Sequence, residues 1–73
     1  MEKLMLTNVF NSLGDELVFF QGKSDLGVKG WFSGWKVDIR GRESYHPIIF
    51  FEHKEDMKKE YDKVINGETD GYL

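Results

Sequence analysis

The clearest pattern in the chain is an alternation of side chains between residues 30 and 40. One side of this stretch is mainly apolar and carries Trp31, Ser33, Trp35, Val37 and Ile39. The other side is mixed and carries Phe32, Gly34, Lys36, Asp38 and Arg40. An alternation with a period of two is typical of a β-strand with one buried face. We therefore expect a strand here, with both tryptophans facing the core.

Two shorter apolar runs, residues 16–21 and 48–53, predict one strand on each side of the central one. Both runs contain aromatic or β-branched residues, which favour strands. The segments between them, residues 22–30 and 41–47, are rich in turn residues and are expected to be loops. Because consecutive strands usually lie next to each other, the three strands should form an antiparallel meander.

Residues 55–66 carry the clearest helical pattern. Their apolar side chains recur at helical spacing: Met57, Tyr61, Val64 and Ile65. Such spacing makes one apolar stripe along a helix. Acidic residues in the first turn suit the positive end of the helix dipole, and Gly67 follows the last turn as glycines commonly do. We expect an amphipathic helix that packs on one face of the sheet.

The N-terminal segment, residues 4–13, fits two interpretations. Leu6, Val9, Phe10 and Leu13 follow helical spacing, and Gly14 stands where a helix often ends. The competing interpretation is a strand from Lys3 to Phe10 that turns through residues 11–15. We favour the helix, since the strand alternation breaks at two consecutive apolar residues. The predicted fold is then α+β with the order αβββα, in which a three-stranded antiparallel meander packs against two helical segments.

Length and composition indicate one small domain. We expect residues 1–67 of the 73 to form it and residues 68–73 to be an acidic, mobile tail. The chain has no cysteine, which excludes disulfides and thiolate metal sites. Its N-terminal apolar run is too short for a signal peptide, and no stretch has the ~18 apolar residues of a membrane span. The sequence therefore predicts a cytoplasmic protein without a membrane partner.

Candidate chemistry is sparse. His46 lies in a predicted loop, and His53 lies among Glu52, Glu55 and Asp56. This group could be drawn as a metal or acid–base site, but acids near a helix N-terminus are explained by the helix dipole, and a metal site needs three or four ligands held by flanking structure. No nucleophile elbow, phosphate-binding loop or dinucleotide fingerprint occurs. We therefore expect no enzymatic activity, no metal and no cofactor. The net charge of −3 also makes nucleic acid an unfavoured partner, because phosphate binding usually needs a basic face.

The most informative feature for function is that the predicted sheet has more apolar surface than the predicted helices can cover. Both flanking strands are apolar on both sides, and two short helical segments do not easily cover both faces of a sheet. One face should then expose aromatic and basic side chains, the types that are enriched in interfaces. The predicted partner-binding residues are Phe20, Phe32, Lys36, Arg40 and Phe51. The alternative is that the N-terminal segment covers this face.

A second candidate surface is the acidic side of the C-terminal helix, with Glu55, Asp56, Glu60 and Asp62. Together these features predict a small non-enzymatic protein–protein interaction domain. It would act as an inhibitor or modulator of a larger protein, of the phage or mobile-element accessory type, or associate with itself as a homodimer. The alternative function is a single-stranded nucleic-acid-binding domain that stacks bases on the aromatic residues of its sheet.

Overall fold

Four antiparallel strands followed by one helix make up the computed structural model, which describes residues 4–73. The elements in chain order are β1 (Leu4–Phe10), β2 (Glu16–Lys23), β3 (Lys29–Ile39), β4 (Arg42–Phe51) and α1 (Lys54–Ile65). The strands lie in the sheet in the order β1-β2-β3-β4, so each pairs with its neighbour in sequence. The fold is α+β, as predicted, but the antiparallel meander has four strands rather than three.

The N-terminal segment is the additional strand, and the predicted N-terminal helix is wrong. Leu4 pairs with Phe20, and Leu6 pairs with Val18, across β1 and β2. The competing strand interpretation is confirmed from Leu4 onward, whereas Lys3, its first residue, lies outside the described residues. β1 therefore widens the sheet instead of packing on top of it.

A β-bulge interrupts the pairing of β1 near its end. The pairing register shifts between Leu6 and Phe10, and Asn8 within this interval has a φ of 65°. Asparagine tolerates this left-handed conformation better than most residues do. After the bulge, Val9 packs against the core. The two consecutive apolar residues that mimic a helical stripe lie on opposite faces of the sheet, because Val9 packs against the core while Phe10 pairs with Glu16 and is 50% exposed.

β3 and β4 are joined by a two-residue turn, where the sequence predicts a loop over residues 41–47. Arg40 and Gly41 form this turn, with φ angles of 52° and 80°. Positive φ at both central positions is the signature of a type I′ turn, whose twist matches that of the flanking strands. Asn-Gly and Asp-Gly are the usual sequence signals for such a turn, so Arg40-Gly41 is hard to recognise from sequence.

β4 lies at the edge of the sheet and carries a second bulge. Gly34 of β3 pairs with Pro47, and a register shift just before it leaves Ile48 as an extra residue. A Cβ atom on Gly34 would collide with the backbone of β4, so the close approach of the two strands requires glycine there. Pro47 has no N–H to donate, which an edge strand tolerates.

The core lies between the sheet and α1. Its buried residues are Leu17, Phe19, Trp31, Met57 and Val64. Partly buried residues that pack against them are Met5, Val9, Trp35, Phe51, Tyr61 and Tyr72. The prediction that both tryptophans face the core is confirmed, since Trp31 is 6% exposed and Trp35 packs against the cluster. One helix thus covers one face of the sheet.

The end of α1 agrees with the sequence prediction, and the chain then folds back. Gly67 has a φ of 98°, and its N–H donates to the carbonyl of Val64 at 3.0 Å. The N–H of Glu68 donates to the carbonyl of Lys63 at 2.9 Å. These two bonds form a Schellman motif. The chain beyond it brings Tyr72 against the core, while the mobility predicted for the acidic tail stays a prediction.

Trp31→Ala should lower the free energy of unfolding by about 3–5 kcal/mol, because it deletes a large buried side chain. Trp35→Ala should have a smaller effect, because this ring keeps part of its surface in solvent. Urea unfolding followed by circular dichroism measures both. Should Trp31→Ala be unfolded in water, Trp31→Phe and Trp35→Phe give the same comparison. Equal losses at the two positions would contradict the central place of Trp31 in the core.

Candidate functional site

The sheet face opposite α1, which we term the open face, is the strongest candidate for a functional surface. Its residues are Leu4, Leu6, Phe10, Glu16, Val18, Phe20, Gly22, Gly30, Phe32, Gly34, Lys36, Asp38, Glu43, Tyr45, Pro47, Ile48 and Phe50. Within residues 4–73, no helix and no second sheet packs on this face. The N-terminal strand pairs edge to edge with β2, so the alternative that it covers this face is wrong for residues 4–10.

Four aromatic rings in continuous contact, which we term the aromatic row, run across the open face from β4 through β3 to β2 and back to β4. The ring centroids of Phe50 and Phe32 are 5.1 Å apart, and those of Phe32 and Phe20 are 5.6 Å apart. Phe20 in turn lies 5.2 Å from Tyr45. These distances fall in the range of favourable aromatic pairs. Phe32 therefore lies at the centre of the face and contacts an aromatic ring on each side.

Glycines on the same face allow the rings to lie close to the backbone. A Cβ atom on Gly22 would come within 3.0 Å of the Phe32 ring, and one on Gly30 within 2.7 Å of the Phe50 ring. Covering of glycines by cross-strand aromatic rings is a known way to stabilise a sheet. Because Gly34 has no side chain, the position beside Tyr45 is empty, and the Tyr45 ring reaches across β3 to Phe20. The result is an apolar surface on which the phenylalanine rings are partly buried.

Charged side chains gather at one end of the open face. The Nζ atom of Lys36 lies 3.8 Å from a carboxylate oxygen of Glu16 and 3.8 Å from one of Glu43. Glu16 is 9% exposed and also accepts a hydrogen bond from the backbone N–H of Asn8 at 3.1 Å. Lys36 thus neutralises two neighbouring carboxylates, one of them almost buried. The charge of Lys36 is therefore used within the domain, and Lys36 is not an unpaired cation at the rim of the face.

The five predicted partner-binding residues do not all lie on one face of the structure. Phe20, Phe32 and Lys36 share the open face, and Arg40 lies beyond it in the β3–β4 turn. Phe51 lies on the other face, where its ring centroid is 6.3 Å from that of Phe19. Its place on the open face is taken by the preceding residue.

Phe50 and Tyr45 are the open-face residues that sequence reasoning missed. Residues 48–51 are all apolar, so this run does not reveal which side faces solvent. The pairing of Phe50 with Phe32 decides it, and that pairing depends on the bulge in β4. Tyr45 falls in the segment predicted as a loop, and only the extension of β4 back to Arg42 gives it a face.

The proposed acidic surface on α1 is mixed in charge. Glu55, Asp56 and Asp62 are exposed, whereas Glu60 is partly buried. With 100° between successive residues of a helix, Lys59 falls between Asp56 and the neighbouring pair Glu55 and Asp62. α1 therefore presents alternating charges outward, and recognition of a basic groove by its acids stays a prediction.

Among the described residues, no group of three or more His, Asp or Glu side chains is arranged to hold a metal ion. Across these same described residues, every buried side-chain nitrogen or oxygen has a hydrogen-bond partner. Within residues 4–73, no helix is both long and apolar enough to cross a membrane.

Tyr72 is a titratable group whose surroundings change its pKa. Its hydroxyl donates to a carboxylate oxygen of Glu60 at 2.8 Å and lies 3.0 Å from Oγ of Ser33. Burial, together with the hydrogen bond and the charge of Glu60, raises the pKa of Tyr72 to about 12. The Ser33 hydroxyl acts in the opposite direction. With this pKa, the Tyr72 hydroxyl stays protonated at neutral pH. Its hydrogen bonds attach the C-terminal tail to the core.

Comparisons with known proteins offer no relative from which a function can be transferred. No protein-family model, no curated protein and no solved structure matches the chain. Function must therefore be inferred from the geometry of the chain itself, above all from the open face.

Tyr72→Phe should flatten the loss of stability at high pH. Because the folded state raises the pKa of Tyr72 from 10.0 to about 12, its contribution is complete below pH 10 and is lost as the pH rises toward 12. Unfolding free energies measured across this interval should fall more steeply for the wild type than for Tyr72→Phe. Tyr45→Phe, on the open face, is the control. Identical slopes for the wild type and Tyr72→Phe would exclude this role.

Proposed function

We propose that this chain is a non-enzymatic protein–protein interaction domain and that the open face is its binding surface. The observation that carries the proposal is the aromatic row on a sheet face without a covering layer. Contiguous exposed apolar patches on small soluble domains commonly mark interaction sites. Aromatic residues are also the types that most often dominate binding energy.

The arrangement of the rings favours binding at a low entropic cost. Phe32 is held between two aromatic neighbours, and the backbone lies directly beneath its ring. Side chains already fixed in one conformation lose little freedom when a partner covers them. We therefore assign Phe32 as the anchor, with Phe20 and Phe50 beside it and Tyr45 toward the rim.

The proposed role is that of an inhibitor or modulator, which acts by occupying a surface of another protein. A chain of 73 residues can act simply by covering a surface of its partner. An accessory protein of a phage or mobile element is the type that this size and composition suggest. The outward side of α1 is the second candidate surface, and the cytoplasm is the proposed location.

Phe32→Thr should abolish capture of the partner while the domain stays folded. The experiment immobilises the wild-type chain and the variant and compares what each retains from a lysate of the native host, identified by mass spectrometry. Leu13→Thr is the matched control, because Leu13 is 83% exposed and lies in the β1–β2 loop, outside the open face. The expected result is a protein retained by the wild type and the control but not by Phe32→Thr.

Retention of the same protein by Phe32→Thr would contradict the assignment of the open face. Circular dichroism and an unfolding curve for each variant must accompany the capture, because Phe32 also contributes to packing. If Phe32→Thr is unfolded, Ile48→Thr takes its place, since Ile48 is 44% exposed and lies on the same face.

A second candidate function is binding of single-stranded nucleic acid. The specific observation in its favour is the aromatic row, because base–aromatic stacking contributes about 1–3 kcal/mol per base. The net charge of −3 and the pairing of Lys36 with two carboxylates oppose it. Protein binding is therefore the leading proposal.

Fluorescence anisotropy with labelled oligo-dT and oligo-U distinguishes the two candidates. We expect no binding at physiological salt, because a nucleic-acid site needs several phosphate contacts. Micromolar binding that weakens steeply with salt and is lost in Phe32→Thr would instead establish the nucleic-acid function and overturn the leading proposal.

A further inference from the structure

We propose that a groove beside α1, which we term the lysine groove, binds an extended acidic segment of another protein. The groove lies on the α1 side of the sheet, so it is separate from the open face and adds a second site to the function proposed above. Three observations carry the inference: a preformed hollow, four lysines without acidic partners, and an exposed strand edge that fits a polypeptide backbone.

The lysine groove consists of two adjoining hollows of about 590 and 630 Å³. Trp31 and Lys54 line both of them and therefore mark the place where the two hollows meet. The first hollow lies between α1 and the start of β1, and the second extends over the end of β2 and the start of β3. Volumes of this size are typical of ligand sites. The groove thus has room for several side chains of a partner.

Contacts within the domain hold the walls of the lysine groove in place. The hydroxyl of Tyr61 in α1 donates to the carbonyl of Leu6 in β1 at 2.9 Å, which joins the two walls of the first hollow. Where the hollows meet, Nζ of Lys54 lies 5.9 Å from the centroid of the Trp31 ring. This contact favours one position of the ammonium group. The groove is therefore formed before a ligand arrives, which lowers the entropic cost of binding.

The lining of the lysine groove is positive, although the chain as a whole has a net charge of −3. Its charged residues are Lys23, Lys29, Lys54 and Lys58, with Glu52 as the one acid. All four lysines are exposed, and none of them forms a salt bridge with a residue of the described chain. A local field of one sign attracts ligands of the other sign. The groove is thus a cationic site on an acidic domain.

The lysines of the groove lie close to one another. Lys23 of β2 pairs directly with Lys29 of β3, on the same side of the sheet as Trp31. Like charges in such a pair destabilise a sheet. Lys54 and Lys58 lie one turn apart on α1, which is a second unfavourable spacing for like charges. Carboxylates of a ligand relieve both repulsions. Because the lysines belong to three different elements, a ligand needs several carboxylates to pair with all of them.

The backbone of β1 points outward at the first hollow. The carbonyl of Leu17 in β2 points toward β1, because it accepts a hydrogen bond from the Thr7 hydroxyl. Backbone groups alternate in direction along a strand, so the next residue of β2 that points toward β1 is the partner of Met5. The backbone groups of Met5 therefore point toward β2, and those of Leu4 and Leu6 point away from it.

This free strand edge favours a polypeptide as the carrier of the carboxylates. Within residues 4–73, β1 has a neighbouring strand on one side only. Leu4 and Leu6 precede the bulge at Asn8 and line the first hollow, so their outward backbone groups lie beside the lysines. Addition of an extended chain to a strand edge is a recurrent mode of peptide recognition. An acidic segment in an extended conformation thus meets both the charge and the backbone of the groove.

Fluorescence anisotropy with a short labelled peptide of alternating glutamate and valine tests the inference, because this peptide is acidic and its valines favour an extended conformation. We expect sub-millimolar binding to the full wild-type chain at low salt, which weakens as salt is added. The same peptide with glutamine in place of glutamate should bind ~10-fold more weakly, since it forms no ion pairs. Equal affinities for the two peptides would exclude recognition of charge.

Two double variants locate the site. Lys54→Gln with Lys58→Gln, and Lys23→Gln with Lys29→Gln, should each raise the dissociation constant of the acidic peptide by ~5-fold or more, because each removes two positive charges from the groove. All four positions are exposed, so the variants should fold. Circular dichroism and a urea unfolding curve of each variant check this.

Lys59→Gln with Lys63→Gln is the matched control. These two exposed lysines also lie one turn apart on α1, but they line neither hollow. The control variant changes the net charge of the chain by the same amount and should keep the dissociation constant within ~2-fold of the wild type, because distant exposed charges are screened. If either groove variant binds the peptide as tightly as the control variant does, the lysine groove is not the site.

The two proposals fail in different ways. Absence of peptide binding to the wild type overturns the lysine groove and leaves the capture experiment to judge the open face. Phe32→Thr lies on the opposite face and should bind the peptide normally; loss of binding in this variant, when folded, overturns the groove in favour of the open face. Tighter binding of oligo-dT than of the peptide, lost in both groove variants, would make nucleic acid the ligand and overturn the acidic segment.

Discussion

A four-stranded sheet has two faces, and this chain has one helix with which to cover them. The twelve residues of α1 make a rod about 18 Å long, enough for one side of a sheet about 19 Å wide. All five residues of the main core cluster lie on that side. The opposite side must be compatible with solvent or be covered by another molecule. The remaining features of the structure follow from this constraint.

The open face is stabilised without a second layer by packing within its own plane. Rings lie over glycines, as Phe32 does over Gly22, so each ring is partly shielded by the sheet itself. Lys36 sits between two carboxylates, so the charged end of the face is locally neutralised. The same packing sets apolar rings side by side on this face. The side chains that we propose as the binding surface therefore also contribute to the stability of the sheet.

Two bulges interrupt the edge strands, and one of them changes which residues face outward. The bulge at Asn8 leaves Val9 on the same side of the sheet as Met5, whereas the one at Ile48 changes the phase of β4. Without the second bulge, the side chains of β4 on either side of Pro47 would keep one continuous alternation. Both bulges lie on edge strands, where they also interrupt the exposed backbone. Local irregularities thus interrupt both exposed edges of the sheet.

The sequence by itself determined the elements with a strong period of their own: the central strand with its tryptophans on the core side, and the C-terminal helix with its end before Gly67. Each depends on local preferences and on a repeat that spans several residues. Tertiary structure alone decided that the N-terminal segment is a strand, that Phe50 rather than Phe51 joins Phe32, and that Lys36 is paired. These outcomes depend on pairing register, which a single bulge shifts by one residue and which no local pattern encodes. For the same reason, the open face and its aromatic row emerge only when four strands that are separate in sequence lie side by side.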